Sequence, residues 1–161
     1  MRLVKFVIFA YVALILQTAF LPIIFPDQLR PSALVILANL YLLSKPNEWT
    51  VLLVWVVGLM GDLTSISPLG SQALAFGLFG MLILTLRPVL FADSPLAHAV
   101  TSATGVIIIS AIYAIETVLT RHALPLPFSV VEVVGQALTT GTAAALLTKI
   151  LMPPKKHPAR W

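Results

Sequence analysis

The 161-residue chain is 59% hydrophobic and 10% charged, with a mean hydropathy of +1.01 and a formal net charge of +4. A soluble domain of this size carries about 25% charged residues, so there is too little charge here to cover a water-facing surface, and the chain reads as an integral membrane protein. It contains no cysteine, which excludes disulfides, thiolate metal sites and cysteine nucleophiles, and its basic residues sit at the ends of apolar runs, not in an aromatic-rich patch that would take nucleic acid.

The apolar runs are continuous blocks without strand-like alternation, so helices are the expected spanning elements. Residues 3–21 form the first, with Arg2 and Lys5 ahead of it and no convincing small-x-small cleavage site before Pro22, which favours an uncleaved span over a signal peptide. Gln17 is its one strongly polar residue and either snorkels to an interface or hydrogen-bonds a neighbouring helix. After the proline-punctuated loop to Arg30, Pro31 opens a second run over 31–45, fifteen residues or about 22 Å of helix. That is shorter than the ~30 Å hydrocarbon core, so the bilayer thins, Lys45 snorkels, or neighbouring protein covers the ends.

The third and fourth segments, 47–64 and 68–87, form an antiparallel pair. Asn47 is the expected N-cap of the first, with Glu48 in its opening turn, and Pro68 suits the first turn of the second. The join is the polar stretch from Asp62 to Gly70. Asp62 stands near a helix C-terminus, where the macrodipole disfavours a negative charge by roughly 0.3–1 kcal/mol. In an apolar, glycine-rich setting it should be solvated, protonated or paired. Pairing with Arg30 or with a partner protein is one reading, and a water-exposed acid is the other.

Ser94 and Pro95 start the fifth segment, 95–119, rich in small hydroxyl residues (Thr101, Ser102, Thr104, Ser110) that let helices approach closely. Ser129 to Glu132 matches a capping box for the sixth, 129–152, and residues 153–161 form a polar tail. Ala73, Gly77 and Gly80, and Ala137, Gly141 and Ala145, are small-residue stripes for packing within the bundle or against a partner's helix. The expected fold is an all-α integral membrane protein, a six-helix transmembrane bundle forming one membrane domain. With the N-terminus inside, Arg2, Lys5, Lys45, Arg87, Lys149, Lys155, Lys156 and Arg160 lie on the cytoplasmic side and only Arg30 and Arg121 outside, which places eight of the ten basic residues inside and both termini in the cytoplasm.

Gly58-x-x-Gly61-Asp62-Leu63, followed by Ser67-Pro68-Leu69-Gly70 and an apolar helix, resembles the MreD family of rod shape-determining membrane proteins. The likeness extends to length, to the first helix and to Arg30-Pro31; where the family often has an acid after that proline, this chain has Ser32. The resemblance implies a bacterial cytoplasmic-membrane protein of cell elongation and peptidoglycan synthesis, working with MreC, the actin-like MreB, and the synthase formed by RodA and its class B penicillin-binding protein. It implies a fold similar to the six-helix substrate-binding subunits of energy-coupling-factor vitamin transporters. Arg30, Pro31, Gly58, Gly61, Asp62, Pro68, Leu69 and Gly70 become the candidate structural or partner-contacting residues.

No catalytic, cofactor or metal residues are expected. His98, His122 and His157 fall in three separate places, the first at a span end where an interfacial histidine is usual, and no acid, base and nucleophile converge. A substrate-binding subunit of a small-molecule transporter is the alternative, with Asn39, Tyr41, Trp55 and Tyr113 as scattered pocket candidates, though Ala10, Ala13 and Ala19 lack the four-residue alanine spacing of many vitamin-binding subunits. The chain's lack of cysteine makes the topology directly testable. A single cysteine at Ser65 is expected to react with a membrane-impermeant maleimide in intact cells, and one at Asn47 only after permeabilisation; the reverse pattern inverts the protein.

Overall fold

A computed structural model describes residues 2–26, 29–45, 47–64, 70–88, 94–121 and 130–151. Among these residues the protein is helical throughout, with six helices and no strands. The first, α1, is α-helical over Arg2–Ile15, π-helical over Leu16–Phe20 and α-helical again over Leu21–Ile24. It is followed by α2 (Ala33–Ser44), α3 (Glu48–Asp62), α4 (Ser71–Leu86), α5 (Pro95–Arg121) and α6 (Val130–Leu151). The π segment precedes Pro22, which has no N–H to give to Thr18 and whose ring crowds that carbonyl. The widened turn relieves this, closing with a bond from the Leu21 N–H to the Leu16 carbonyl.

Side chains on the outside of the bundle are apolar: Ile23, Trp49, Leu52, Met81, Leu96, Ile107, Leu138 and Ile150 are all at least half exposed. Such a surface is stable against lipid and not against water. Three stretches are long and apolar enough to cross a bilayer, Phe6–Ile24, Pro95–Leu119 and Val130–Ile150. The other three helices are shorter, at 12, 15 and 16 residues, about 18–24 Å against a ~30 Å core.

The shortest of them lies at the centre. α2 packs on α1, α3, α4, α5 and α6 and buries Leu34, Val35, Ile36, Ala38, Asn39, Leu42 and Leu43. A helix that is apolar all round has no solvent or lipid face to prefer, and burial on every side is its stable placement. Neighbouring helices therefore account for its length. The core continues through Phe6, Val54, Val57, Phe76, Phe79, Ile83 and Val106.

Two antiparallel pairs, α3 with α4 and α5 with α6, are drawn together by small residues. A Cβ on Gly58 would stand 2.7 Å from the Ala73 Cα and 2.8 Å from the Gln72 carbonyl oxygen, so backbone meets backbone there. Farther along the same pair, Gly77 receives Trp55 and Gly80 receives Val51. On the other pair, a Cβ on Gly141 would lie 2.9 Å from the Ala99 carbonyl oxygen. Both stripes, including the buried Ala73 and Ala137, pack inside the bundle.

Three buried polar side chains and one backbone carbonyl tie α2 to α5. Asn39 donates through Nδ2 to the His98 carbonyl (3.0 Å) and to Ser102 Oγ (2.7 Å), and its Oδ1 accepts from Thr101 Oγ1 (2.8 Å). His98 is 1% exposed and so is not the interfacial residue its position at a helix end leads one to expect. Asn47 takes the N-cap position of α3, but its side chain makes no cap bond; the Thr50 hydroxyl instead returns to the Lys45 carbonyl (2.6 Å).

Gly58→Ala is expected to force α3 and α4 apart and to lower stability by about 1–3 kcal/mol, as overpacking does. Gly80→Ala, which meets only the Val51 side chain at 3.1 Å as its nearest neighbour, should cost less. Thermal unfolding of the purified variants in detergent, followed by circular dichroism, gives the order, and equal midpoints would contradict the close contact at Gly58.

Candidate functional site

The turn between α3 and α4 is built around Asp62. The residue is 2% exposed, so it is not a water-exposed acid. Its carboxylate accepts three backbone N–H groups from the start of α4: Oδ2 takes Gly70 (3.0 Å) and Ala73 (3.1 Å), and Oδ1 takes Gln72 (2.9 Å). The Leu74 N–H bonds to the Gly70 carbonyl (2.8 Å), so the internal ladder of α4 begins where the carboxylate's reach ends. These are the N–H groups a helix leaves unsatisfied at its first turn. The acid therefore caps the next helix from the end of the preceding one. Its unfavourable place at the C-terminus of α3 is offset by the positive end of α4.

The spacing of the motif follows from this geometry. Gly58, Gly61 and Asp62 are at i, i+3 and i+4 and share one face of α3. Gly58 admits the backbone of the first turn of α4, and at Gly61 any side chain would overlap Gln72 Oε1. Gly70 holds φ = 108°, a left-handed conformation that glycine adopts without strain, and its N–H thereby points back to Asp62. α4 begins at Ser71. Pro68 and Leu69, the expected start of that helix, lie outside the described residues. So does Ser129, the first residue of the expected capping box.

The N-terminus of α2 is closed in the same manner by other residues. Ser32 Oγ accepts from the Val35 N–H (3.4 Å), Gln17 Oε1 from the Leu34 N–H (3.1 Å), and Thr140 Oγ1 from the Ser32 N–H (3.0 Å). Of the two roles open to Gln17, it takes the interhelical one, and it does so from the π segment of α1. Ser32, standing where the family often has an acid, supplies a neutral cap.

Because α2 and α4 begin short of the ends of their longer neighbours, a cavity of about 560 Å³ remains above their first turns. Its wall includes Arg30 and Pro31 before α2, Gln72 and Phe76 on α4, Val106, Ile109, Ser110 and Tyr113 on α5, and Glu132 and Gln136 on α6. Of the candidate residues, Arg30 and Pro31 thus lie on the cavity, while Gly58, Gly61, Asp62 and Gly70 form the α3–α4 joint; Thr64 and Gln72 border both. Glu132 was legible in the sequence only as a capping residue. No group of three or more histidine, aspartate or glutamate side chains able to hold a metal occurs among the described residues.

An apolar exterior, helix termini closed by side chains and a core of interlocked helices define an all-helical membrane protein. The chain belongs to the MreD family: residues 1–152 match the family described as rod shape-determining protein MreD. No curated protein and no solved structure matches it significantly, so the expected likeness to energy-coupling-factor subunits is without support.

Replacing the cap should be felt in proportion to the acceptors lost. Asp62→Ala leaves buried N–H groups without their acceptor and is expected to cost about 1–3 kcal/mol, with Asp62→Asn, which keeps one acceptor oxygen, falling between it and the parent. Detergent unfolding midpoints test the order, and an alanine variant as stable as the parent would remove the cap from the account of the fold.

Proposed function

We propose that this chain is a non-catalytic membrane scaffold of the bacterial cell-elongation machinery, held in the cytoplasmic membrane with both termini inside. It binds MreC and is linked, directly or indirectly, to MreB and to the RodA–penicillin-binding-protein synthase. Membership of a shape-determining family over residues 1–152 carries the reading. The geometry is in keeping with it. The one acid of the family-like turn is engaged by the backbone of α4, and the buried amide and hydroxyls of Asn39, Thr101 and Ser102 bond one another across α2 and α5.

Outside the central α2, the exposed part of the bundle is a wall of apolar side chains on α1, α3, α4, α5 and α6. Such a wall offers lipid and the transmembrane segments of other proteins the same kind of contact, packing without water to displace. The candidate joint at Gly58, Gly61, Asp62 and Gly70 then has a structural role, fixing the shape of the wall that α3 and α4 present.

In a rod-shaped host whose own family member is depleted, this chain is expected to restore rods and to retain MreC on affinity purification. Loss of rods with MreC still retained in the Asp62→Ala variant would separate shape of the joint from partner contact. Rods that persist under depletion, or a chain that never retains MreC, would defeat the scaffold reading, and a vitamin-uptake defect in normal rods would point to the transporter alternative.

A further inference from the structure

The size of the cavity above α2 and α4 lies within the roughly 300–1,000 Å³ of small-ligand sites. Its wall carries two opposite full charges, the guanidinium of Arg30 beside α2 and the carboxylate of Glu132 on α6, with the hydrogen-bonding side chains of Tyr113 and Gln136 also on it. Arg30, Tyr113, Glu132 and Gln136 each already make contacts within the protein, so the polar wall is held in place. The lining also includes the apolar side chains of Phe76 and Ile109. A site bearing one charge of each sign disfavours a simple anion or a simple cation, each of which meets a like charge, and favours a ligand that carries both.

Thr18 and Pro22, both exposed, are among the residues that line the cavity, and beside them in α1 Phe20, Ile23 and Ile24 are 55–83% exposed. An occupant can therefore place a polar head inside while an apolar remainder lies along the end of α1. We propose that this cavity binds a small zwitterionic head group, an anionic oxygen toward Arg30 and an ammonium toward Glu132, of the kind displayed by an ethanolamine phospholipid. The same chemistry could arrive as a free soluble zwitterion. The inference goes beyond the scaffold reading and does not rest on it, because binding is measured on the purified chain alone.

The test uses the full chain in detergent, titrated with phosphatidylethanolamine or phosphatidylglycerol and read by native mass spectrometry. The parent is expected to retain the ethanolamine lipid at least about tenfold more tightly, a ratio equivalent to about 1.4 kcal/mol. Arg30→Gln, Glu132→Gln and the cavity-filling Ser110→Phe, each checked for native helicity, should reduce that preference to about twofold or less. If neither lipid is retained, glycerophosphoethanolamine raising the unfolding midpoint of the parent but of none of the three variants assigns the site to a free zwitterion. Equal retention of the two lipids, a preference that survives in folded Arg30→Gln, Glu132→Gln or Ser110→Phe, or no response to lipid or soluble head group overturns the proposal. Should a charge variant fail to fold, Ser110→Phe and Arg30→Lys, the latter expected to keep the preference, decide it.

Discussion

Three N–H groups converging on the carboxylate of Asp62 are the constraint around which this bundle is arranged. In hydrocarbon there is no water to satisfy the first turn of a helix, and each unmet group costs several kcal/mol. A helix that begins at an interface avoids that cost; one that begins within the protein must find an acceptor on a neighbour. α4 finds it on α3, and α2 finds it on α1, on α6 and on its own Ser32. The short helices are thus possible only because the longer ones reach past them carrying Gln17 and Thr140, and because Asp62 closes its own hairpin. The two glycines before Asp62 belong to the same device, since without their missing side chains the first turn of α4 could not come within reach.

Much of the architecture was legible from hydrophobic runs and from proline and glycine positions, because a membrane helix announces itself by composition alone. Pro31, Asp62, Gly70 and Pro95 mark real joints. The unreadable parts share one cause: they depend on which side chain of one helix faces which backbone of another. Asp62 bonds residues 8, 10 and 11 positions ahead, whereas a cap is ordinarily sought at the residue directly before the helix. Its environment therefore looked like a choice between water and a countercharge. Asn39 and His98 were scattered polar residues until α2 was laid against α5. Gln17 offered two roles, and only the π segment and the position of Leu34 decide between them.

The stripe residues show the same division from the other direction. Alanine and glycine at three- or four-residue spacing predict close approach without naming the partner. Here Gly77 meets Trp55, Gly80 meets Val51 and Gly141 meets the Ala99 carbonyl, all within the chain. What remains for other proteins is the larger apolar exterior, which has no comparable pattern to read.

The unequal lengths of the helices reach beyond the protein itself. α3 and α4, with Leu52, Trp55, Leu74, Leu78 and Met81 turned outward, offer the surrounding lipid an apolar wall about 22–24 Å tall, while α5 at 27 residues offers one of about 40 Å. Acyl chains around one perimeter are therefore asked to compress on one side and stretch or tilt the helix on the other. Mismatch of this kind acts at a modest free-energy cost for each ångström. It gives the protein a thin side and a thick side toward the lipid around it.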